Sequence, residues 1–187
     1  NSRINLHRLN NPLIRAARAP WQEPVLYLSL DTSLCWEEYC LIRLAVVYRG
    51  RALPVAWRVF EHSSAMLSFR AYQEMMQAAA HVLPPGVKVV LLADRGFGYP
   101  DWLRCLSVQL GWSYRIRLKK DAWIWRAKKG WIQLKDYHFR RGEAIALQQI
   151  YLFKEARYGP VNLVVGRNNI NGEFWAVVSD EATTLQT

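Results

Sequence analysis

The chain is predicted to fold as an α/β protein. A mixed sheet begins with three antiparallel strands, continues through a β-α-β unit and leads into a β-rich segment. Three observations predict this. Val87 to Ala93 is a near-continuous apolar run that stops on Asp94, as expected of a buried strand that delivers its last residue to the end of a sheet. Upstream, two runs rich in Ile, Leu and Val flank Arg49-Gly50-Arg51, which is a hairpin signal. Helical spacing then brackets the apolar run on both sides.

Taken in order, Asn1 to Pro24 is polar and carries Arg3, Arg8, Arg15 and Arg18. Leu6, Leu9, Leu13, Ile14 and Ala17 form a loose helical stripe broken at Pro12, and Pro20 and Pro24 bracket Trp21. Residues 1–24 are expected to be a linker or the tail of a preceding domain, with a DNA-contacting arm as the functional alternative. Val25 to Leu30 reads as a strand ending on Asp31-Thr32-Ser33. Tyr39 to Tyr48 and Ala52 to Phe60 form the hairpin. Met66 to Leu83 reads as a helix capped by Ser63 or Ser64, with Met66, Phe69, Tyr72, Met76 and Ala80 on its apolar face and Pro84-Pro85-Gly86 at its end. Gly96 and Gly98 turn the chain into a second helix, Pro100 to Leu110, with Gly111 as its C-terminal cap. Trp112 to Leu118 alternates as a half-exposed strand. Beyond Lys120 short strands are expected over Trp123 to Trp131, Ala144 to Phe153, Val161 to Arg167 and Phe174 to Val178, with no helix. Turns are expected at Lys129-Gly130, Arg141-Gly142, Tyr158-Gly159-Pro160 and Asn171-Gly172, of which Asn171-Gly172 is the strongest hairpin signal.

The 187 residues suffice for one domain, or one domain with a sizeable insertion, and a hydrophobic content of 51% excludes a disordered chain. No apolar run is long enough to span a bilayer, and no signal-peptide pattern opens the chain. Cys35, Cys40 and Cys105 have no metal-ligand spacing, and their odd number argues against a disulfide scaffold and for a reducing compartment. Cys35 and Cys40 read as small apolar residues, and His62, His81 and His138 as surface or helix-end residues. The net charge of +10 favours a polyanion, nucleic acid before an anionic membrane surface. About +8 of it lies between Arg115 and Arg141, where only Asp121 and Asp136 oppose ten cations.

A buried strand has no packing reason to end on a carboxylate. The bland explanation is that Asp94 caps the following turn. Asp31 changes the weighting, because two strands joined by a right-handed crossover lie side by side and would bring Asp31 and Asp94 to one sheet edge. Two carboxylates repel unless a cation lies between them. Mg²⁺ or Mn²⁺ suits such oxygen ligands and leaves positions open for water and phosphate. Together with the basic stretch, this favours metal-dependent nucleic-acid chemistry over capping.

Leu30-Asp31-Thr32-Ser33 and Ala93-Asp94-Arg95-Gly96-Phe97 resemble the first and second catalytic motifs of IS4-type DDE transposases. The spacing, the intervening hairpin and helix, and the late Phe174-Trp175-Ala176-Val177-Val178-Ser179-Asp180 are similar to that family as well. The resemblance runs from about Leu26 to the last residue. It implies an RNase H-like core over residues 25–120 and a β-rich insertion over 121–187. It implies Asp31 and Asp94 as catalytic ligands to Mg²⁺, with Mn²⁺ as a substitute, in cleavage and strand transfer of double-stranded DNA at transposon ends and into a target. A homodimer on paired ends, in a prokaryotic cytoplasm at the nucleoid, is expected. Arg95 beside the second motif contacts phosphate or pairs with a neighbouring carboxylate. Arg115, Arg117, Lys119, Lys120, Arg126, Lys128 and Lys129 are the expected DNA-binding side chains. Trp123, Trp125 and Trp131 among them either stack on an unpaired base or, on the preferred reading, fill the core of a small sheet. The family's third carboxylate lies on a helix after the insertion and is expected beyond Thr187. Glu173, in a hairpin, and Glu181, after the last strand, are not assigned to it. The chain is therefore expected to be a catalytically incomplete piece. Two alternatives remain: an RNase H-like nuclease or resolvase, and a non-catalytic DNA-binding remnant that regulates transposition.

Overall fold

A computed structural model of the protein describes residues 12, 23–61 and 68–185. The helical stripe of the first segment, His62, the candidate caps Ser63 and Ser64, and Met66 lie outside the described residues. The chain forms two compact units, Asn1–Leu92 and Ala93–Thr187. Mostly antiparallel strands dominate both, with few helices.

In the first unit, β1 (Val25–Cys35), β2 (Tyr39–Tyr48) and β3 (Arg51–Glu61) form the expected antiparallel set. Their strand order is β3-β2-β1, followed by β4 (Lys88–Ala93). Alternation drives this pairing: Leu26, Leu28 and Leu30 of β1 and Ile42 and Leu44 of β2 are buried, while intervening residues face outward. Arg49 and Gly50 adopt φ of 48° and 73° at the predicted turn, a left-handed pair that matches strand twist. Trp36 and Glu37 turn the β1–β2 hairpin in the same way, with φ of 54° and 60°. No glycine announces that turn in the sequence. Pro54 is accommodated because β3 is an edge strand with a register shift opposite Leu44 and Ala45.

Helix α1 (Phe69–Ala80) buries Tyr72, Met75, Met76 and Ala79. It ends earlier than expected: His81 is the C-cap, and its Nδ1 lies 2.7 Å from the Gln77 carbonyl, so the prolines follow a loop rather than the helix itself. Arg58 of β3 ties the sheet to α1 by donating to Glu74 at 2.8 Å, and Arg70 donates to the same carboxylate at 3.2 Å. These bonds, Arg58 first, hold the Glu74 carboxyl below the usual range.

In the second unit, helix α2 (Pro100–Arg104) opens on Pro100 and continues as a π-helical turn, Cys105–Leu110. It closes on Gly111 at φ 63°, the left-handed cap the sequence predicts. Trp102, Leu103 and Leu106 on this helix are fully buried. The strands β5 (Ser113–Arg117), β6 (Trp123–Arg126), β7 (Gly130–Gln133), β8 (Ala144–Leu152), β9 (Tyr158–Arg167) and β10 (Phe174–Ser179) take the order β5-β10-β9-β8-β6-β7.

One sequence expectation is sharpened in this unit and two are corrected. Trp123 to Trp131 forms a hairpin, with Trp125 opposite Trp131 and the turn at residues 127–129, just ahead of the expected Lys129-Gly130. A 3-10 turn, Leu134–Asp136, interrupts the supposedly helix-free segment, closed by reciprocal Gln133 and Asp136 capping bonds. Asn171-Gly172 is not a two-residue hairpin turn but part of a longer loop. Asn168 Oδ1 there accepts from the amides of Ile170, Asn171 and Gly172 at 3.2, 2.9 and 3.2 Å.

Candidate functional site

The apolar core of β4, with Val89, Val90 and Leu91 buried, runs directly into Asp94. Asp94 takes the N-cap position of the 3-10 turn Arg95–Phe97 with extended backbone (φ −80°, ψ 173°), yet its side chain makes no capping hydrogen bond. Its main-chain carbonyl alone closes the turn, accepting from Phe97 N–H at 3.0 Å. The capping explanation for this carboxylate therefore fails. Its side chain is 60% exposed and Oδ1 lies 3.4 Å from Nη1 of Arg117 on β5.

Arg117 is the centre of a cluster that sequence reasoning did not find. Its side chain is 23% exposed, and Nη2 donates to Glu173 Oε1 at 2.7 Å. Its guanidinium carbon stands 4.0 Å from the centroid of the Trp175 ring, a cation–π contact. Hydrogen bonds from Arg117 and then Trp175 hold the Glu173 carboxyl below the usual range, and the charge of Arg95 adds to the effect. Glu173 thus does sit in a hairpin connection, as the sequence suggests, but that connection delivers it to the arginine next to Asp94. The link is the antiparallel register that sets Val177 opposite Arg117, with Trp175 two residues before Val177. No linear motif carries that information.

Gly98 fixes the loop after Asp94 against β5. A Cβ there would stand 2.9 Å from Leu118 Cδ2 and 3.0 Å from the Arg117 carbonyl oxygen. Gly96 has open space around its Cα, so of the two glycines Gly98 is the one demanded by packing.

Asp31 has a different setting. The expectation that its strand ends on it is corrected: β1 continues to Cys35, and Asp31 pairs with Arg43 in mid-strand. What ends at Leu30 is the buried stripe of β1, whose later residues are mostly exposed although Ile42 and Cys40 of β2, paired with them, stay buried. The Asp31 side chain is 59% exposed, its Oδ2 lies 3.7 Å from Arg43 Nη2, and its Oδ1 accepts from Thr32 N–H at 2.9 Å. Asp31 belongs to the first unit and Asp94 to the second. Among the described residues, no group of three or more His, Cys, Asp or Glu side chains is placed to hold a metal ion. Each of the two carboxylates, taken by itself, leaves exposed hard oxygen donors of the kind Mg²⁺ takes alongside waters and phosphate oxygens.

The basic run does not stay together. Arg115 and Arg117 lie on β5, whereas Arg126 lies on β6, and β10, β9 and β8 intervene in the strand order. Arg95 is exposed on the turn after Asp94. Lys119 borders an open depression of about 480 Å³ that includes Gly98, Trp123 and Lys154, and Lys120 sits over the Phe174 ring at 5.6 Å. Arg126 donates to the Tyr137 hydroxyl at 3.0 Å. With Lys128 and Lys129 it lines a depression of about 450 Å³ shared with Gln148 and Gln149.

The tryptophans also depart from expectation. Trp102 and Trp112 are buried, but Trp123 is exposed, and Trp125 and Trp131 are only half-buried. Trp125 and Trp131 line an open hollow of about 370 Å³ with Tyr151 and Arg157. Of the two cysteines read as small apolar residues, Cys40 is buried and Cys35 half-buried; Cys105 is buried as well. Among the described residues no helix is long and apolar enough to cross a membrane.

No protein-family model matches the chain, and no curated protein matches its sequence. Its fold is similar to that of a piggyBac transposase solved as a synaptic complex with hairpin DNA. The TM-score is 0.52 at 9% identity over 84% of this chain, which spans 34% of that transposase. Over that portion the fold is transposase-like. Weaker likenesses are to endonuclease V from Streptomyces avermitilis (TM-score 0.43, 18% identity, 93% of this chain and 75% of that one) and to an Argonaute from Marinitoga piezophila solved with guide RNA and target DNA (TM-score 0.35, 10% identity, 97% and 28%).

Proposed function

We propose that the chain is part of a DDE transposase of the IS4 type that cleaves and rejoins double-stranded DNA at element ends. Residues 25–120 would contribute an RNase H-like core and residues 121–187 a β-rich insertion. Asp31 and Asp94 would be ligands to Mg²⁺, for which Mn²⁺ can substitute. The observation that carries this reading is Asp94: a carboxylate delivered by a buried strand to a cap position, where it does not cap and instead faces an arginine in open solvent. Two further features support it. β1, which bears Asp31, and β4, which Asp94 directly follows, are neighbours in the strand order. The fold is like part of a transposase.

When bound, the divalent cation would supply a nucleophilic water and neutralise charge on the phosphate. The chain's own residues do the rest. Asp31 and Asp94 supply hard oxygen donors, Arg95 and Arg117 offer N–H groups to phosphate beside Asp94, and Lys119, Lys120, Lys128 and Lys129 neutralise the backbone farther along. The testing experiment is duplex binding by fluorescence anisotropy in Mg²⁺ across a salt series. Replacing Lys119, Lys120, Lys128 and Lys129 by Gln should weaken binding and lower the slope of log K against log salt by about three to four. An unchanged slope would mean that DNA is held elsewhere and that this reading is wrong.

A further inference from the structure

We infer that Glu173 and Trp175 are positioning residues that hold the Arg117 guanidinium as a seat for one DNA phosphate beside Asp94. The inference rests on the DNA-binding reading above and adds to it two residues that carry no phosphate-binding chemistry of their own.

A free arginine side chain at a half-exposed position samples many rotamers, and that freedom must be lost when it grips a phosphate. Arg117 has already lost it. Glu173 takes Nη2 at 2.7 Å, a length typical of a charge-assisted bond, and the Trp175 ring lies under the guanidinium at 4.0 Å. The remaining edge turns to Asp94 at 3.4 Å, longer than a good charge-assisted bond and so the weaker of the two engagements. Gly98 keeps the Asp94 loop against the Arg117 main chain, with only 3.0 Å between its would-be Cβ and the Arg117 carbonyl. Main chain and side chain thus fix the same residue from two sides. Nη1 is left as the edge that can pass from Asp94 to a phosphate oxygen while Glu173 and Trp175 keep the group in place.

The sign of one substitution decides the matter. Glu173→Gln removes a negative charge from a surface proposed to hold a polyanion, so general electrostatics alone would tighten DNA binding and leave the salt slope unreduced. The positioning role gives the opposite result. Anisotropy titrations of the full chain with duplex DNA should show Arg117→Gln weakening binding about fivefold near 0.15 M salt, with about one unit less salt slope. Glu173→Gln should move both quantities in the same direction, and the double variant should be no weaker than Arg117→Gln alone. Trp175→Ala should follow Glu173→Gln, while Trp175→Phe, which keeps a ring, should retain most of the affinity. Thermal unfolding of each variant confirms that the fold is kept, which the exposure of Glu173 favours. Tighter or unchanged binding by Glu173→Gln, or losses that add in the double variant, would overturn the inference and leave the DNA-binding reading standing. A wild-type chain with no salt-dependent duplex binding would overturn both.

Discussion

Asp31 and Asp94 each follow a buried apolar run, and the structure treats them differently. Asp94 stands at a true strand end, in a cap position it does not use, facing an arginine that Glu173 and Trp175 also hold. Asp31 stands within a strand that continues for four more residues, in a solvent-exposed cross-strand pair with Arg43. Hydrophobic patterning thus reports where burial stops, and only sometimes where pairing stops. At β4 the two coincide; at β1 the hydrogen-bonded ladder outlasts the strand's own buried stripe. A carboxylate at the end of an apolar run is therefore a stronger functional signal where backbone pairing ends with it.

This contrast can be sharpened by substitutions of decreasing effect. The largest tests whether both runs are equally part of a core. Leu28→Ala and Leu91→Ala, each removing a side chain with no exposure, should each cost about 2–5 kcal/mol in chemical denaturation. A cost well below that range at Leu91 would mean that β4 is not the buried support on which the comparison depends. Next comes the loop that follows Asp94. Gly98→Ala should cost about 1–3 kcal/mol through overpacking against Leu118 and the Arg117 carbonyl. Gly96→Ala, with open space, should stay within about 0.5 kcal/mol. Equal effects would show that the loop is not pinned to β5. Smaller still is the pair that gives Asp31 its ordinary role: Arg43→Ala should change stability by at most about 1 kcal/mol, because both partners are exposed. A larger loss would make Asp31 a structural residue first.

The smallest effect is a pH dependence. The Glu74 carboxyl is held below its ordinary value of 4.5, first by Arg58 and then by Arg70. The folded state therefore gains stability from the charged form. That gain is present above the unfolded value and is lost as pH falls through the lower, folded one. Glu74→Gln should flatten the acid limb of stability below about pH 4.5 and leave the slope near neutrality unchanged. A steeper acid limb in that variant would contradict the pairing.

Much of the fold was legible. The three antiparallel strands, the helix before β4, the Pro100 start and Gly111 stop of the next helix, and most later strands follow from period and cap chemistry. Three kinds of feature were not. The Trp36–Glu37 turn uses left-handed residues that are not glycine, so nothing marks it. The π-helical turn at Cys105–Leu110 has the same apolar spacing as an α-helix at this length. The Asn171-Gly172 pair did not reveal its longer loop, because the Asn168 side chain that gathers the amides of Ile170, Asn171 and Gly172 lies upstream of it. The site divides in the same way. Asp94 was visible because a charge after Val-Val-Leu-Leu-Ala stands out locally. Glu173 and Trp175 were not, because only the β5–β10 register brings them to Arg117.

The most direct measurement is a Mn²⁺ titration of the wild-type chain, Asp31→Asn and Asp94→Asn, followed by electron paramagnetic resonance, with unfolding midpoints recorded alongside. Both substitutions should leave the midpoint nearly unchanged and weaken Mn²⁺ binding at least about tenfold. Wild-type affinity in Asp94→Asn would contradict the assignment of that carboxylate to a metal. Loss in Asp94→Asn but not in Asp31→Asn would leave Asp31 as no more than the partner of Arg43.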